Sequence, residues 1–373
     1  PLGSGLMCFR FLQVAWWFFW TGQLPHHDAS HVAGVEEDNL HPEPVAADTS
    51  KSDSTPLGLI IILVPLLIVA VCFAQRAGFL VLPQGMRAFV LFALLLSLMF
   101  TGMPVSIALG LTVLSFMFAL TEVPTESVAL KLFTGLESFE IMAIPFFILA
   151  GTFLTHGGVA RRMIHFATTM VGHWYGGLGL AGVVACALFA AVSGSSPATV
   201  VAIGSVLMPA MVAQGFPKRF GAGVIATSGA LGILIPPSIV MVLYAVATNS
   251  SIGKLFIAGI VPGIVLATML GITTWYRAWR HGYPRMAKAT FTERVRAFKD
   301  SAWGLALVVI VMGGIYSGLF TPTEAAAMSA VYAFFIAVFV YKDLKLSDVP
   351  RVLLSSANLS AMLLYIITNA ILF

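Results

Sequence analysis

Of the 373 residues, 59% are hydrophobic and only 10% carry a charge, against roughly 25% charged residues in an ordinary soluble domain. With a mean hydropathy of +0.95, this excludes a soluble enzyme, a disordered chain and a nucleic-acid binder. The 20 basic residues barely outnumber the 16 acidic ones, and seven of them share one loop, so the excess reads as membrane topology.

A bilayer core about 30 Å thick takes roughly 20 apolar residues as a helix. Taken in chain order, apolar segments of about that length run over Leu6–Trp20, Leu57–Ala74, Ala88–Phe100, Val105–Leu120, Ile141–Thr155, Leu178–Met211, Phe220–Ala247, Leu255–Tyr276, Trp303–Phe320, Ala325–Tyr341 and Val352–Phe373. The expected fold class is therefore an all-α polytopic membrane protein. Residues 21–56 carry seven acids, one lysine and three prolines before Pro56, too little apolar surface to fold, and read as a solvated linker. His26, His27 and His31 lie in it without a carboxylate or thiol framework, which favours solvated histidines over a metal site. Cys8, Cys72 and Cys186 all fall in apolar segments and read as small buried hydrophobes. Trp16-Trp17 and Trp174-Tyr175 read as interfacial anchors.

The loop Arg277–Asp300 holds Arg277, Arg280, Arg285, Lys288, Arg294, Arg296 and Lys299 against Glu293 and Asp300, which places it in the cytoplasm. Thr290 and Glu293 have capping-box spacing, and with Val295 and Phe298 they predict a short amphipathic helix on the inner membrane surface, within a connector over 277–302. Counting backwards, the acidic stretch Thr121–Glu140 falls outside, and Arg161-Arg162 and Lys218-Arg219 fall inside. The parity requires Leu178–Met211 to enter and leave by one face, and it leaves the 21–56 linker cytoplasmic.

Two stretches are alike. Ala88–Leu120 breaks at Thr101-Gly-Met-Pro104 and Trp303–Tyr341 at Ser317-Gly-Leu-Phe-Thr-Pro322, and each is followed by a serine-led span, from Ser138 and from Ser356. The topology count starts the copies on opposite sides, giving inverted repeats over 85–276 and 303–373, a hallmark of secondary transporters. The first copy continues through a Gly-rich hairpin and a Pro-interrupted helix that the second lacks. The chain thus reads as a fragment with an incomplete second repeat.

The densest motif is Ala191-Val-Ser-Gly-Ser-Ser-Pro-Ala-Thr199, inside 178–211. Arms of about 15 residues, about 22 Å each, suggest a re-entrant hairpin whose tip is Ser193, Gly194, Ser195, Ser196 and Pro197, with Pro197 at the first helical position of the outgoing arm. A kinked helix packed through small residues is the plainer alternative. Hydroxyls and freed carbonyls suit a hard cation, and a helix N-terminus suits an anion. The second motif, Thr227-Ser-Gly-Ala-Leu-Gly-Ile-Leu-Ile-Pro-Pro-Ser238, lies in 220–247. Pro236 and Pro237 interrupt the helix, Gly229 and Gly232 admit another backbone, and a new N-terminus opens near Ser238; a simple proline kink is the alternative. No Asp, Glu, Lys or Arg occurs from His173 through Pro217 or from Phe220 through Ser251. Membrane proton relays need ionisable side chains, so neutral oxygens point to sodium. Thr321-Pro-Thr-Glu324 fits a capping box better than a buried carboxylate site.

These motifs, Gly102–Gly110, Ser193–Gly204, Gly232–Ser238 and Gly318–Ala327 in order, resemble the large membrane subunit of tripartite ATP-independent periplasmic (TRAP) transporters over about Arg87–Phe373. Residues 1–20 are similar to the last helix of the family's small membrane subunit, so 57–74 becomes the connecting helix of a fused small–large chain; Pro1–Gly5 also fits a protease-site linker. The resemblance implies sodium-driven import of an organic acid anion, such as a sialic acid or C4-dicarboxylate, received from a periplasmic substrate-binding protein, by an elevator mechanism. It implies Na+ as coupling ion, held at Ser193, Gly194, Ser195, Ser196, Gly229 and Gly232. Substrate then lies near Ser195, Ser196, Pro197, Thr199, Pro237 and Ser238. No catalytic residue and no cofactor is expected. The alternative is a binding-protein-independent sodium/dicarboxylate symporter of related inverted-repeat design.

Overall fold

The computed structural model describes residues 56–79, 83–121, 124–134 and 137–373. The expectations for the front helix, the linker, its histidines and Cys8 lie outside these residues. The described residues form helices throughout: α1 Pro56–Arg76, α2 Gln84–Phe100, α3 Val105–Leu120, α4 Thr125–Thr134, α5 Ala143–His156, α6 Val159–Val171, α7 Gly177–Ser193, α8 Ser196–Ala213, α9 Lys218–Gly229, α10 Leu231–Leu234, α11 Ile239–Thr248, α12 Ile252–Arg280, α13 Phe291–Tyr316, α14 Pro322–Phe335 and α15 Val349–Leu372. Among the described residues, six helices are long and apolar enough to cross a membrane, and Lys218–Leu234 with Ile239–Thr248 makes a further pair bent by 42°. The fold class is all-α and polytopic.

Helix ends follow the local chemistry. Thr290 caps α13 and Thr321 caps α14 through complete capping boxes with Glu293 and Glu324, each satisfying two donors that a helix start leaves free. The linkers between α2 and α3 and between α13 and α14 both turn through a glycine at positive φ, Gly102 and Gly318. α14 packs on α5 and α15 packs on α3, so each two-helix unit lends its second helix to the span that follows the other unit.

Three elements differ from the expected ones. The basic segment after Thr290 is no separate surface helix: it runs unbroken into the span as the 26-residue α13, because no Gly or Pro between Phe291 and Trp303 stops the helix. The expected loop containing Arg161 and Arg162 is instead the amphipathic α6, which buries Val159, Ala160, Met163, Ile164 and Ala167. α4 is likewise helical, although it is too polar to register as a span. One continuous apolar core joins α5–α9 with α11–α15, with Phe147, Phe189, Phe256, Met163, Leu207 and Leu307 almost fully buried. α12 turns a broad apolar face outward, where Ile264, Val265, Met269 and Ile272 are all more than half exposed. That is the expected surface of a lipid-facing helix.

Candidate functional site

α7, α8 and α9 fold back on one another as a three-helix unit. A Cβ on Gly182 would lie 2.6 Å from Leu207, and one on Gly179 within contact of Met211, so α7 and α8 run antiparallel. The same holds for α8 and α9, where Gly229 faces Val200, Gly204 faces Ile225, and Gly221 faces Met208. The arms are longer than the sequence suggested, 17 and 18 residues, or about 26 and 27 Å. Length alone therefore does not separate them from spans. The hairpin is defined by its turn and by this antiparallel register.

The turn is built from Gly194 and Ser195. Gly194 closes α7 in the left-handed conformation at φ +62°, a common helix ending that glycine adopts without steric cost. Ser195 is the N-cap of α8, its hydroxyl accepting from the Ala198 N–H at 3.5 Å. Ser196 therefore takes the first helical position and Pro197 the second, one place later than expected. Beneath the tip, the Thr199 hydroxyl donates to the Ser195 carbonyl at 2.8 Å, and the Ser193 and Thr199 hydroxyls are 3.0 Å apart. Thr199 is fully buried and Ser193 nearly so. These two hydroxyls act as struts that fix the Ser195 carbonyl, while Pro197 is exposed.

The second break lies against the first. α9 ends at Gly229, α10 makes a single turn, and α11 restarts with Ser238 as its N-cap. The carbonyls of Gly232 and Ile233 have no helical donor four residues on, because Pro236 and Pro237 carry no N–H. The Ile239 N–H donates to the Gly194 carbonyl at 3.1 Å. A Cβ on Gly194 would meet the Pro237 carbonyl oxygen at 2.7 Å, and one on Gly232 would meet the Ser195–Ser196 peptide at 2.8 Å. Ser193, Gly194, Ser195, Ser196, Gly232, Pro237 and Ser238 thus converge. Gly229 joins them at the edge: a Cβ there would lie 3.5 Å from the Ser196 carbonyl oxygen, and its packing on Val200 holds α9 against α8.

Two hydroxyls here are orphaned. Ser238 and Ser228 are both fully buried, and neither Oγ has a hydrogen-bond partner among the described residues. Buried polar groups are normally satisfied, and an orphan calls for a cause such as a missing ligand. Ser238 caps nothing, although it occupies an N-cap position where serine ordinarily accepts a backbone bond. Sequence reading did not single out Ser228, since a mid-helix serine usually returns its proton to a carbonyl one turn back. It also passed over Gly151 of α5, where a Cβ would lie 3.1 Å from the Ser193 carbonyl oxygen, so α5 supports the tip from behind. No Asp, Glu, Lys, Arg or His occurs from Trp174 through Pro217 or from Phe220 through Ser251. The convergence point is made of helix starts, peptide groups and hydroxyls.

Comparison with known proteins gives this constellation a family. Residues 92–373 match the family model described as tripartite ATP-independent periplasmic transporter, DctM component. The chain belongs to this TRAP transporter large-permease family. It is 72% identical over 302 residues to the C4-dicarboxylate TRAP transporter large permease protein DctM of Rhodobacter capsulatus, covering 77% of this chain and 69% of that one. The isethionate TRAP transporter permease protein DctMQ of Oleidesulfovibrio alaskensis is 42% identical over 288 residues, covering 76% and 45%. The sialic acid TRAP transporter permease protein SiaT of Haemophilus influenzae is 39% identical over 252 residues, covering 67% and 41%. The chain thus spans from under half to about two thirds of the length of these relatives. As a TRAP large permease it is a multi-pass inner-membrane transport component, not an enzyme. Large permeases of this family work with a periplasmic binding protein and a small membrane subunit.

Proposed function

We propose that this chain takes part in sodium-coupled import of an organic acid anion, received from a periplasmic substrate-binding protein. The C4-dicarboxylate class is favoured over sialic acid by the far higher identity to the relative named for C4-dicarboxylates. The observation that carries the reading is the pair of orphaned hydroxyls, Ser238 at the start of α11 and Ser228 at the end of α9, next in the chain to the Gly229 that abuts the Ser196 carbonyl. Hydroxyl and carbonyl oxygens are hard ligands without a proton to exchange near neutral pH, which suits Na+ and does not suit a proton relay. Ser193, Gly194, Ser195 and Ser196 with Gly229 and Gly232 then hold the first sodium ion, and Ser228 joins them as a candidate. The two helix N-termini offer partial positive charge to a substrate carboxylate near Ser195, Ser196, Pro237 and Ser238. Thr199 fixes the tip and Pro197 flanks it.

In this reading the unit α7–α11 is the moving part of an elevator, and the units that exchange helices, α2–α3 with α15 and α13–α14 with α5, form the frame. The front of the chain, residues 1–20, is read as the last helix of a fused small subunit, joined through the linker 21–56 and the connecting helix 57–74. The name of the DctMQ relative, a single permease protein, is in keeping with such fusion. Uptake into proteoliposomes containing the intact protein tests the assignment, with a C4-dicarboxylate or a sialic acid supplied free or on its binding protein. Uptake of the dicarboxylate only with its binding protein and an inward sodium gradient is expected. Uptake of free substrate at the same rate would contradict the binding-protein requirement.

A further inference from the structure

A second polar site lies away from the hairpin, between α6 and α13. A cavity of about 390 Å³ there is lined by Arg161, Arg162, His165 and Asp300. The two helices are held side by side by Phe166 and Phe298, whose ring centres are 5.6 Å apart, and by Gly304, which seats against Val159 and Met163. The charges in the cleft are unequal in their commitments. Arg162 is ion-paired to Asp343 and lies over the Tyr341 ring at 3.9 Å, so its charge is already balanced. Arg161 and Asp300 are exposed, and neither side chain has an ion pair or hydrogen bond among the described residues. His165 is also exposed and within electrostatic reach of Glu293. The cleft therefore presents one uncommitted cation and one uncommitted carboxylate that face the same space without meeting.

Its surroundings set the depth. Trp303, one turn beyond Asp300, is half exposed, and its carbonyl accepts from the Tyr332 hydroxyl. The Tyr341 hydroxyl donates to the Asp300 carbonyl at 2.7 Å. Tryptophan and tyrosine gather at the headgroup level of a bilayer. Farther along α13, Val309 is 71% exposed, as a residue against acyl chains would be. The basic residues of α6 and of the α12–α13 connector put this end on the cytoplasmic side, where basic pockets between helices bind lipid headgroups.

We propose that the cleft is a lipid headgroup site selective for phosphatidylethanolamine in the inner leaflet. Arg161, with His165 beside it, takes the phosphate, and the Asp300 carboxylate accepts from the primary ammonium. A headgroup carrying only negative charge leaves Asp300 facing a phosphate. A quaternary ammonium cannot donate a hydrogen bond to it. The zwitterion with an N–H donor matches both groups.

The test is native mass spectrometry of the full chain. It is loaded in turn with phosphatidylethanolamine, phosphatidylcholine and phosphatidylglycerol of identical acyl chains. One interfacial charge, which phosphatidylglycerol lacks, is worth about fivefold in binding, and so is one net hydrogen bond, which phosphatidylcholine lacks. The wild type is expected to retain phosphatidylethanolamine about fivefold better than either other lipid. Asp300→Asn should erase that preference, and Arg161→Gln should lower retention of all three lipids. The swap Arg161→Asp with Asp300→Arg should restore the preference; because both positions are exposed, the single variants stand even if the swap fails to fold. Equal retention of the three lipids by the wild type, or an undiminished preference in Asp300→Asn, would overturn the proposal. So would displacement of the lipid by excess inorganic phosphate, which would make the cleft a soluble-anion site.

Discussion

The Ile239 N–H donates to the Gly194 carbonyl at 3.1 Å, tying the first residue of α11 to the turn between α7 and α8. Through this bond the hairpin tip and the broken helix become one object, although 45 residues of sequence separate them. The orphaned Ser238 hydroxyl lies next to it in the chain, so a ligand bound at the proposed site would touch both elements.

Gly194→Ala should uncouple them. Alanine there faces the left-handed conformation, at about 1–2 kcal/mol, and a backbone contact with the Pro237 carbonyl oxygen at 2.7 Å that no rotamer relieves. Uptake is expected to be lost and the melting temperature in detergent to fall. Wild-type transport by this variant would show that the tip is free to move away from Pro237.

Gly232→Ala should act by a different route, since its backbone is ordinary and only space is lacking. The added methyl meets the Ser195–Ser196 peptide at 2.8 Å, and overpacking of this kind costs about 1–3 kcal/mol. Gly223 in the same broken-helix segment has nothing within 4 Å, so Gly223→Ala should be neutral or stabilising. Thermal unfolding of the pair, measured side by side, separates crowding at the tip from a general intolerance of alanine.

Ser228→Ala and Ser238→Ala distinguish a ligand from a structural hydroxyl. Removing a buried hydroxyl that has no partner relieves a desolvation penalty of about 1–3 kcal/mol, so stability without sodium or substrate should hold or rise. Sodium-dependent stabilisation, which follows ligand concentration over its dissociation constant, should shrink, and uptake should fall. A loss of stability in the absence of both ligands would instead mark these serines as structural.

Much of this site was legible because its residues break a local rule. Gly194, Pro197, Pro236 and Pro237 cannot sit inside regular helices without cost, and each lies at or beside an interruption the structure contains. Ser228 was not legible: in sequence it is one more helical serine, and only the structure shows its buried hydroxyl turned away from the carbonyls one turn back, with no partner among the described residues. α6 was missed because a search for apolar runs passes over a helix that buries one stripe and turns Arg161 and His165 outward. The length of α13 was missed for the converse reason, since its first turns are charged and its last turns apolar while the backbone runs straight through. The capping boxes at Thr290 and Thr321 were readable residue by residue.

Thr321→Ala tests the value of such a cap where two spans meet. Loss of the N-cap oxygen costs about 1 kcal/mol and leaves Glu324 without its reciprocal contact to the threonine hydroxyl. A lowered melting temperature with sodium dependence of uptake unchanged is expected. A changed sodium dependence would instead bring this turn into the ion site.

A site of neutral oxygens is proposed to couple transport to sodium. Its most direct test is uptake of a C4-dicarboxylate, delivered by its binding protein, into proteoliposomes of the intact transporter under imposed ion gradients. An inward sodium gradient without a proton gradient is expected to drive accumulation. An inward proton gradient in sodium-free buffer is expected to drive none. Accumulation that follows the proton gradient without sodium would contradict the account.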